Sequence, residues 1–345
     1  MVRLGFDMKI AILGLGFMGS THVKAWRAAP GAELFAVCDS DARRVSGDFT
    51  GIQGNLGGPG ERFDFSGIKQ YRELNAALAD PEIAAVDLCL PTYLHEAATI
   101  DALRAGKHVL VEKPMALDGA SARRMIAAAE ASGRILMTAQ VIRFFPEYTA
   151  LRNAVRGGQW GRVRHAIFRR RCATPAWGGW LKDPARSGGG AFDLLIHDVD
   201  FCLHLLGKPV AISATGYLDP VAGPDCINGQ LFYPEGVVAA VGGGWQHPGA
   251  YPFGMEYTVT LDAATIEYNS NGRTPTLYAA EGGERVLQLE PGDGYALEIE
   301  YFVACCRTGK APERCPPQES ADAVEVMRML LAARERNGEK MECRL

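Results

Sequence analysis

A glycine-rich turn close to the amino terminus constrains this chain more than any other feature. Gly14-Leu15-Gly16-Phe17-Met18-Gly19 follows a short apolar run at 9–13 and opens a helical pattern at 17–29. Each glycine in that spacing has its own physical reason. Gly14 permits the tight turn out of a strand, Gly16 lets the backbone approach a pyrophosphate, and Gly19 lets the helix pack closely on the strand before it. The first helical turn, with Phe17 and Met18, then presents free N–H groups and the positive end of a dipole to the phosphates. A second apolar run at 33–38 leads into Asp39. A carboxylate there accepts hydrogen bonds from the ribose hydroxyls of an adenosine, with Ser40 beside it. The same charge repels a 2′-phosphate, so the expected cofactor is NAD; Arg43 and Arg44 follow closely enough to keep NADP as the alternative.

The strand–helix–strand of this motif continues as an alternating series. Strands are expected at 85–90, 108–111 and 134–139, and helices at 71–79, 94–105 and 119–132, while the glycine-rich stretch 49–69 reads as a long loop. Short strands alternating with helices imply parallel pairing through crossover helices. Residues 1–140 are therefore expected to form a doubly wound α/β domain of the Rossmann type. Residues 141–345 read differently. A helix at 147–156, a strand at 163–171 and a helix at 192–206 precede seven short strands between 210 and 289, and helices at 295–308 and 320–337 follow. That order suits an α+β domain carrying a large, mostly antiparallel open sheet, which would bind substrate and mediate oligomerisation. The run 236–245 is apolar in both alternating registers, so Val237, Val238 and Val241 are candidates for the contact of a homodimer or homotetramer.

Composition narrows the function classes. A chain of 345 residues, 48% hydrophobic and 22% charged, has material for about two cores. Its 36 basic and 40 acidic side chains leave a net charge of −4, and no long basic run marks a nucleic-acid surface. No apolar stretch is long enough to span a bilayer. Residues 1–7 read as a short extension without the layout of a cleavable signal. The nine cysteines are scattered, without a C-x-x-C. That suits free thiols in a reducing cytoplasm and gives no metal-ligand spacing.

The residues that carry chemistry lie elsewhere. Asp193 and His197 stand at i and i+4, on one face of the helix at 192–206. Taken singly, an aspartate near a helix start is a cap and a helical histidine is a core residue. Together, after Gly188-Gly189-Gly190, they set a carboxylate beside an imidazole, which fixes its tautomer and raises its basicity for general-base work. Asp200 and His204 continue that face and read as structural. Lys113 sits at the carboxyl end of an expected parallel strand, where ligands bind in this architecture, and Pro114 stiffens the backbone after it. Trp177 and Trp180 flank Gly178-Gly179 ahead of the helix. They read either as aromatic walls suited to sugar C–H surfaces or as loop anchors in the core. His22 and His108 read as packing residues or supports of the site.

Four segments together resemble a known family. They are Pro91-Thr92-Tyr93-Leu94-His95, the run Ala105-Gly106-Lys107-His108-Val109-Leu110-Val111-Glu112-Lys113-Pro114, Arg143-Phe144-Phe145-Pro146, and the stretch from Gly188 through Asp193 and His197 to Asp200. They are similar to the blocks of the Gfo/Idh/MocA oxidoreductases, which include glucose–fructose oxidoreductase and inositol dehydrogenase, and the resemblance covers nearly the whole chain. It implies Lys113 as a catalytic lysine that also touches the cofactor, with Asp193 and His197 as partners. It adds Pro91, Thr92, His95 and Glu112 to the cofactor site and Arg143 to the substrate contacts, alongside Lys113, Asp193, His197, Trp177 and Trp180. It also implies a cis peptide bond between Lys113 and Pro114. Leu195 departs from the family pattern, which carries glycine there in many members; the added side chain narrows the site or tilts the helix.

The function expected from these readings is an NAD(P)-dependent dehydrogenase. It would oxidise a secondary alcohol of a sugar, cyclitol or derivative, with Lys113 and His197 brought to one point from the two domains. Two other classes share parts of this signature. An NAD-retaining glycosidase or epimerase-like enzyme would begin with the same oxidation but release no NADH. A non-catalytic nucleotide-binding regulator would not need Lys113, Asp193 and His197, which are all present.

Overall fold

The computed structural model describes residues 8–54, 60–175 and 178–345, so the extension at 1–7 and Trp177 lie outside the described residues. Contacts divide the chain into two units. One runs to Val141 and includes Asp293–Ala321; the other comprises Ile142–Gly292 and Asp322–Leu345.

The first unit alternates β1 (Met8–Leu13), α1 (Phe17–Ala28), β2 (Ala32–Cys38), α2 (Ala42–Val45), β3 (Lys69–Tyr71), α3 (Leu74–Leu78), β4 (Ala85–Leu88), α4 (His95–Arg104), β5 (His108–Glu112), α5 (Gly119–Ser132) and β6 (Leu136–Ala139). Its six strands pair in parallel in the order β3-β2-β1-β4-β5-β6. Helices cover both faces, which is why Ile10, Ile12, Val86, Leu88, Val109 and Val111 are all fully buried. The strand order reverses between β1 and β4, and the glycine turn leaves β1 at that point, where ligands bind in sheets of this kind. The helix expected at 71–79 begins only at Leu74, because Tyr71 is taken into β3 by pairing with Cys38 of β2.

The second unit opens with α6 (Pro146–Arg156), β7 (Val163–Ala173), α7 (Pro184–Ser187) and α8 (Gly189–Leu206). Then follow β8 (Ala211–Asp219), β9 (Gly223–Phe232), β10 (Val238–His247), β11 (Gly254–Leu261), β12 (Ala264–Asn269), β13 (Arg273–Ala279) and β14 (Glu284–Val286). After α9 (Gly294–Thr308) and α10 (Pro317–Glu335), β15 (Met341–Glu342) adds a last edge. The sheet has nine strands in the order β14-β13-β12-β11-β7-β10-β9-β8-β15. All neighbours are antiparallel except β7 and β10, which run parallel. Helix α8 lies across β7, β9 and β10.

Two sequence expectations change here. Val241 is buried on the helix-covered face, close to Leu330 of α10, and so is not available to a second copy of the chain. The alternation of a strand assigns it there: Ala239 and Val241 point inward, while Val238 and Ala240 share the other face. That other face is largely polar. Arg169, Asn228, Gln230, Thr258 and Glu267 line two shallow grooves of about 570 and 550 Å³, and Glu256 pairs with Arg169 at 2.6 Å and Arg171 at 2.7 Å. The second change concerns 293–321, placed by the sequence division with the later domain. In the structure this segment packs on the nucleotide unit: Phe302 meets Trp26 edge-on at 6.3 Å, and Cys315 Sγ donates to the Thr138 carbonyl at 3.2 Å. All nine cysteines are free thiols. Among the described residues no helix is long and apolar enough to cross a membrane.

Candidate active site

The glycine loop is shaped by two close approaches and one opening. Gly14 has φ +98°, and a Cβ there would lie 2.4 Å from the Cys89 carbonyl oxygen; a Cβ on Gly19 would lie 2.1 Å from the carbonyl oxygen of Gly14. A Cβ on Gly16 would meet nothing within 4 Å. The outer two glycines therefore serve packing, and the middle one faces space that a pyrophosphate can use. Gly16 is also the N-cap of α1 and supplies no side-chain acceptor, so the first N–H groups of the helix are left to a ligand. Phe17 and Met18 are half-buried beside it. Asp39 is set on this loop: it accepts the Leu15 N–H at 2.7 Å and the Asp41 N–H at 2.8 Å, and Arg44 lies 3.5 Å away. Ser40 is exposed, with its carbonyl accepting from Arg72. Open space at Gly16, an uncapped helix start and a pre-oriented carboxylate fit a dinucleotide.

The ends of β4 and β5 hold the expected lysine turn. The Lys113–Pro114 peptide bond is cis. Glu112 Oε2 accepts the Lys113 N–H at 3.0 Å, and the Pro114 carbonyl lies 2.9 Å from His95 Nδ1. His95 Nε2 lies 2.8 Å from the Leu90 carbonyl. The half-buried Lys113 thus leaves a backbone tied on both sides. These contacts correct two assignments. His95 is fully buried with each ring nitrogen on a backbone carbonyl, so it joins the β4 end to the lysine turn instead of reaching a ribose. Burial holds its pKa below the usual histidine range, against the pull of the two carbonyls. Glu112 is only 5% exposed, and its carboxylate turns into the core instead of toward a cofactor. Pro91 and Thr92 stand at the start of the short turn before α4, Thr92 buried.

On α8 the exposure pattern is selective. From Gly189 to His204 every residue is buried except Asp193 and His197, the pair one helical turn apart. Leu195, at the family's glycine position, is fully buried in the helix. The glycines ahead of the pair have a packing cause: Gly189 has φ +81°, and a Cβ on Gly190 would lie 2.8 Å from Asp225 Oδ1 and 2.9 Å from the Trp245 ring. The helix start thereby sits directly on β9 and β10. Trp180 packs partly buried against a cluster of Cys172, Leu181, Leu194 and Trp245, so its ring is anchored in the core on at least one side.

Arg143 is a further correction. It is fully buried, with Nε and Nη2 donating to the two Asp200 oxygens at 2.7 Å each and Nη1 3.1 Å from His204 Nδ1. A guanidinium enclosed by a two-point carboxylate contact is a structural tie of the α8 back face. It is not a substrate contact. The arginine needs Nδ1 of His204 as acceptor, which leaves the His204 proton on Nε2. A parallel tie that sequence reasoning missed joins Arg170 of β7 to Asp198 at 2.9 and 3.1 Å, with the Tyr148 hydroxyl 3.2 Å from the same guanidinium. The only hint in the sequence was a second aspartate between His197 and Asp200.

Residues 8–140 match the family model described as oxidoreductase family, NAD-binding Rossmann fold, and residues 148–267 match the GFO/IDH/MocA C-terminal domain. The chain is 31% identical over 248 residues to a 1,5-anhydro-D-fructose reductase of Ensifer adhaerens, covering 68% of this chain and 72% of that protein. It is 27% identical over 353 residues to a D-apiose dehydrogenase of Paraburkholderia graminis, covering 95% and 88%. Its fold matches that of a levoglucosan dehydrogenase solved with NADH and levoglucosan, with a TM-score of 0.84 at 17% identity, covering 98% of this chain and 100% of the other.

Proposed function

The chain belongs to the GFO/IDH/MocA family of NAD-binding oxidoreductases, and on that premise we propose that it oxidises a secondary alcohol of a sugar, cyclitol or related polyol. The observation that supports this most is the pattern on α8, where Asp193 and His197 alone reach past an otherwise buried run. The relatives act, by their names, on anhydrofructose and apiose, which favours a polyhydroxylated substrate.

When bound, NAD supplies a hydride acceptor at nicotinamide C4. The chain's own groups do the rest. His197 takes the hydroxyl proton as the carbon is oxidised, and Asp193 fixes the tautomer that leaves the basic nitrogen facing the substrate. Lys113, at the carboxyl end of β5, places its ammonium against the oxygen that develops negative charge. Asp39 holds the adenosine ribose. Replacing it by alanine removes charge-assisted hydrogen bonds worth ~1.5–3 kcal/mol, so kcat/KM for NAD is expected to fall roughly 10–100-fold while NADP is used better. A native preference for NADP would show that Arg44, 3.5 Å from the carboxylate, decides the matter.

The proposal extends to the assembly and its place in the cell: a homodimer or homotetramer in the cytoplasm, formed through the uncovered polar face of the nine-stranded sheet. A monomer mass by light scattering at micromolar concentration would remove that part. The enzymatic proposal itself is tested by supplying NAD with a panel of inositols, aldoses, sugar acids and anhydrosugars. Release of NADH matched by oxidised product is expected. Conversion without NADH release would favour the cofactor-retaining chemistry.

A further inference from the structure

Beneath the lysine turn lies a buried chain of polar groups within the nucleotide unit. His22 stands three residues after Gly19 on α1 and is fully buried. Its Nδ1 lies 2.7 Å from Asp87 Oδ2 of β4, and the same oxygen accepts the Trp26 Nε1–H at 2.6 Å. Its Nε2 lies 3.2 Å from Glu112 Oε1, an ion-pair contact not aligned as a hydrogen bond. The other oxygen of Glu112 accepts the Lys113 N–H. Cys89 Sγ lies 3.5 Å from both His22 Nδ1 and Asp87 Oδ1, and the Tyr295 ring of α9 closes over His22 at 6.0 Å.

The titratable groups facing His22 are thus Asp87 of β4, Glu112 of β5, the Cys89 thiol and the Tyr295 phenol, the last two pushed up by burial. A histidine with a carboxylate at each nitrogen is an imidazolium, donating on one side and attracting on the other. Burial works against that charge, but Asp87 and then Cys89, through charge and hydrogen bonding, outweigh it and hold the His22 pKa well above the ordinary 6.5. His22, Asp87 and Cys89 also lie close enough together to suggest a cation site. The 2.7 Å contact is that of a hydrogen bond, however, and the Asp87 oxygen already accepts from two N–H groups.

We propose that Asp87, His22 and Glu112 are positioning residues for Lys113: Asp87 fixes the imidazolium, the imidazolium clamps the Glu112 carboxylate, and Glu112 holds the Lys113 backbone N–H. His95 secures the far side of the same turn through the Pro114 carbonyl. The functional meaning rests on the reading of Lys113 as a reacting group; the clamp itself does not. The arrangement links the first turns of the nucleotide-binding helix to the lysine through three buried side chains.

The test compares wild type, His22→Gln, Glu112→Gln and Lys113→Met, each as full-length protein with NAD. Nitrogen-detected NMR of the histidine rings is expected to show His22 doubly protonated at pH 8 in wild type. In Glu112→Gln, which keeps the packing, that proton is expected to be lost at a pH lower by about one unit, the scale on which one nearby charge acts. Amide exchange at Lys113 is expected to rise about 10-fold or more in His22→Gln, with β5 residues 109–111 unchanged; turnover falls while the KM for NAD stays within about twofold. The protonated ring stabilises the folded state fully below about 6.5 and progressively less as pH rises through its raised pKa. Wild type is therefore expected to lose more stability than Glu112→Gln on the alkaline side. A neutral His22 at pH 7.5 in wild type, or wild-type exchange at Lys113 in both variants, overturns the clamp. Full activity in Lys113→Met with the NMR and exchange results intact would overturn only the role of the lysine.

Discussion

His197→Ala is expected to lower turnover by roughly 10²–10⁴-fold, the range that one general acid–base group carries, while NAD binding stays close to wild type. The separation follows from where the groups sit. His197 belongs to α8 of the second unit, whereas the glycine loop, the α1 start and Asp39, proposed to hold the nucleotide, belong to the first. Steady-state kinetics on the best substrate of the polyol panel, beside NAD titration, separate the two effects. Asp193→Asn is expected to cost less, because in the proposed mechanism Asp193 acts through the imidazole and takes no proton from the substrate itself. The α8 environment makes the alanine variant a clean probe. Its neighbours Leu194, Leu195, Ile196 and Val199 are buried and carry the packing, while His197 itself is partly exposed. A His197→Ala enzyme with near-native turnover would leave Lys113 as the base.

Lys113→Met is expected to reduce kcat by about 10²–10³-fold, the loss seen when one donor to a developing oxyanion is removed. Methionine keeps much of the length and apolar stem of lysine. The turn itself should persist, since its ties run through backbone atoms and not through the ammonium. Unlike His197→Ala, this variant is expected to raise the KM for NAD as well, because the family resemblance implies that Lys113 also touches the cofactor. If kcat fell with no change in KM for NAD, the lysine would serve the substrate alone.

The shape of the glycine loop was legible in the sequence, because each part of it is a local property. A glycine needed for a tight turn, a helix start and an acid at the end of the next strand are all fixed by neighbours in the chain, and Gly14, Gly16, Gly19 and Asp39 sit as that logic requires. Side-chain direction was less legible. Arg143, Glu112 and His95 were all assigned to ligands from motif membership, and all three turn into the interior. The partner that draws Arg143 inward, Asp200, is 57 residues away, and nothing local marks it. Val241 failed for a related reason: a strand apolar in both registers does not say which register faces the helices. The return of 293–321 to the nucleotide unit rests on contacts such as Trp26 with Phe302 and Cys315 with the Thr138 carbonyl, which span most of the chain. The Asp193–His197 pair was visible because helical periodicity places i and i+4 together; that the rest of the helix is buried around it was not.

Oxidation of a polyol carbon by direct hydride transfer is tested most directly by following an isotope from carbon to nicotinamide. The purified protein is given NAD and a substrate from the panel that carries deuterium on the oxidised carbon, and the released nucleotide is analysed by mass spectrometry and proton NMR. NADH formed in equal amount with ketone product, with deuterium at nicotinamide C4, is the expected result. Inverted or cleaved sugar with no released NADH, or NADH lacking the label, would contradict it.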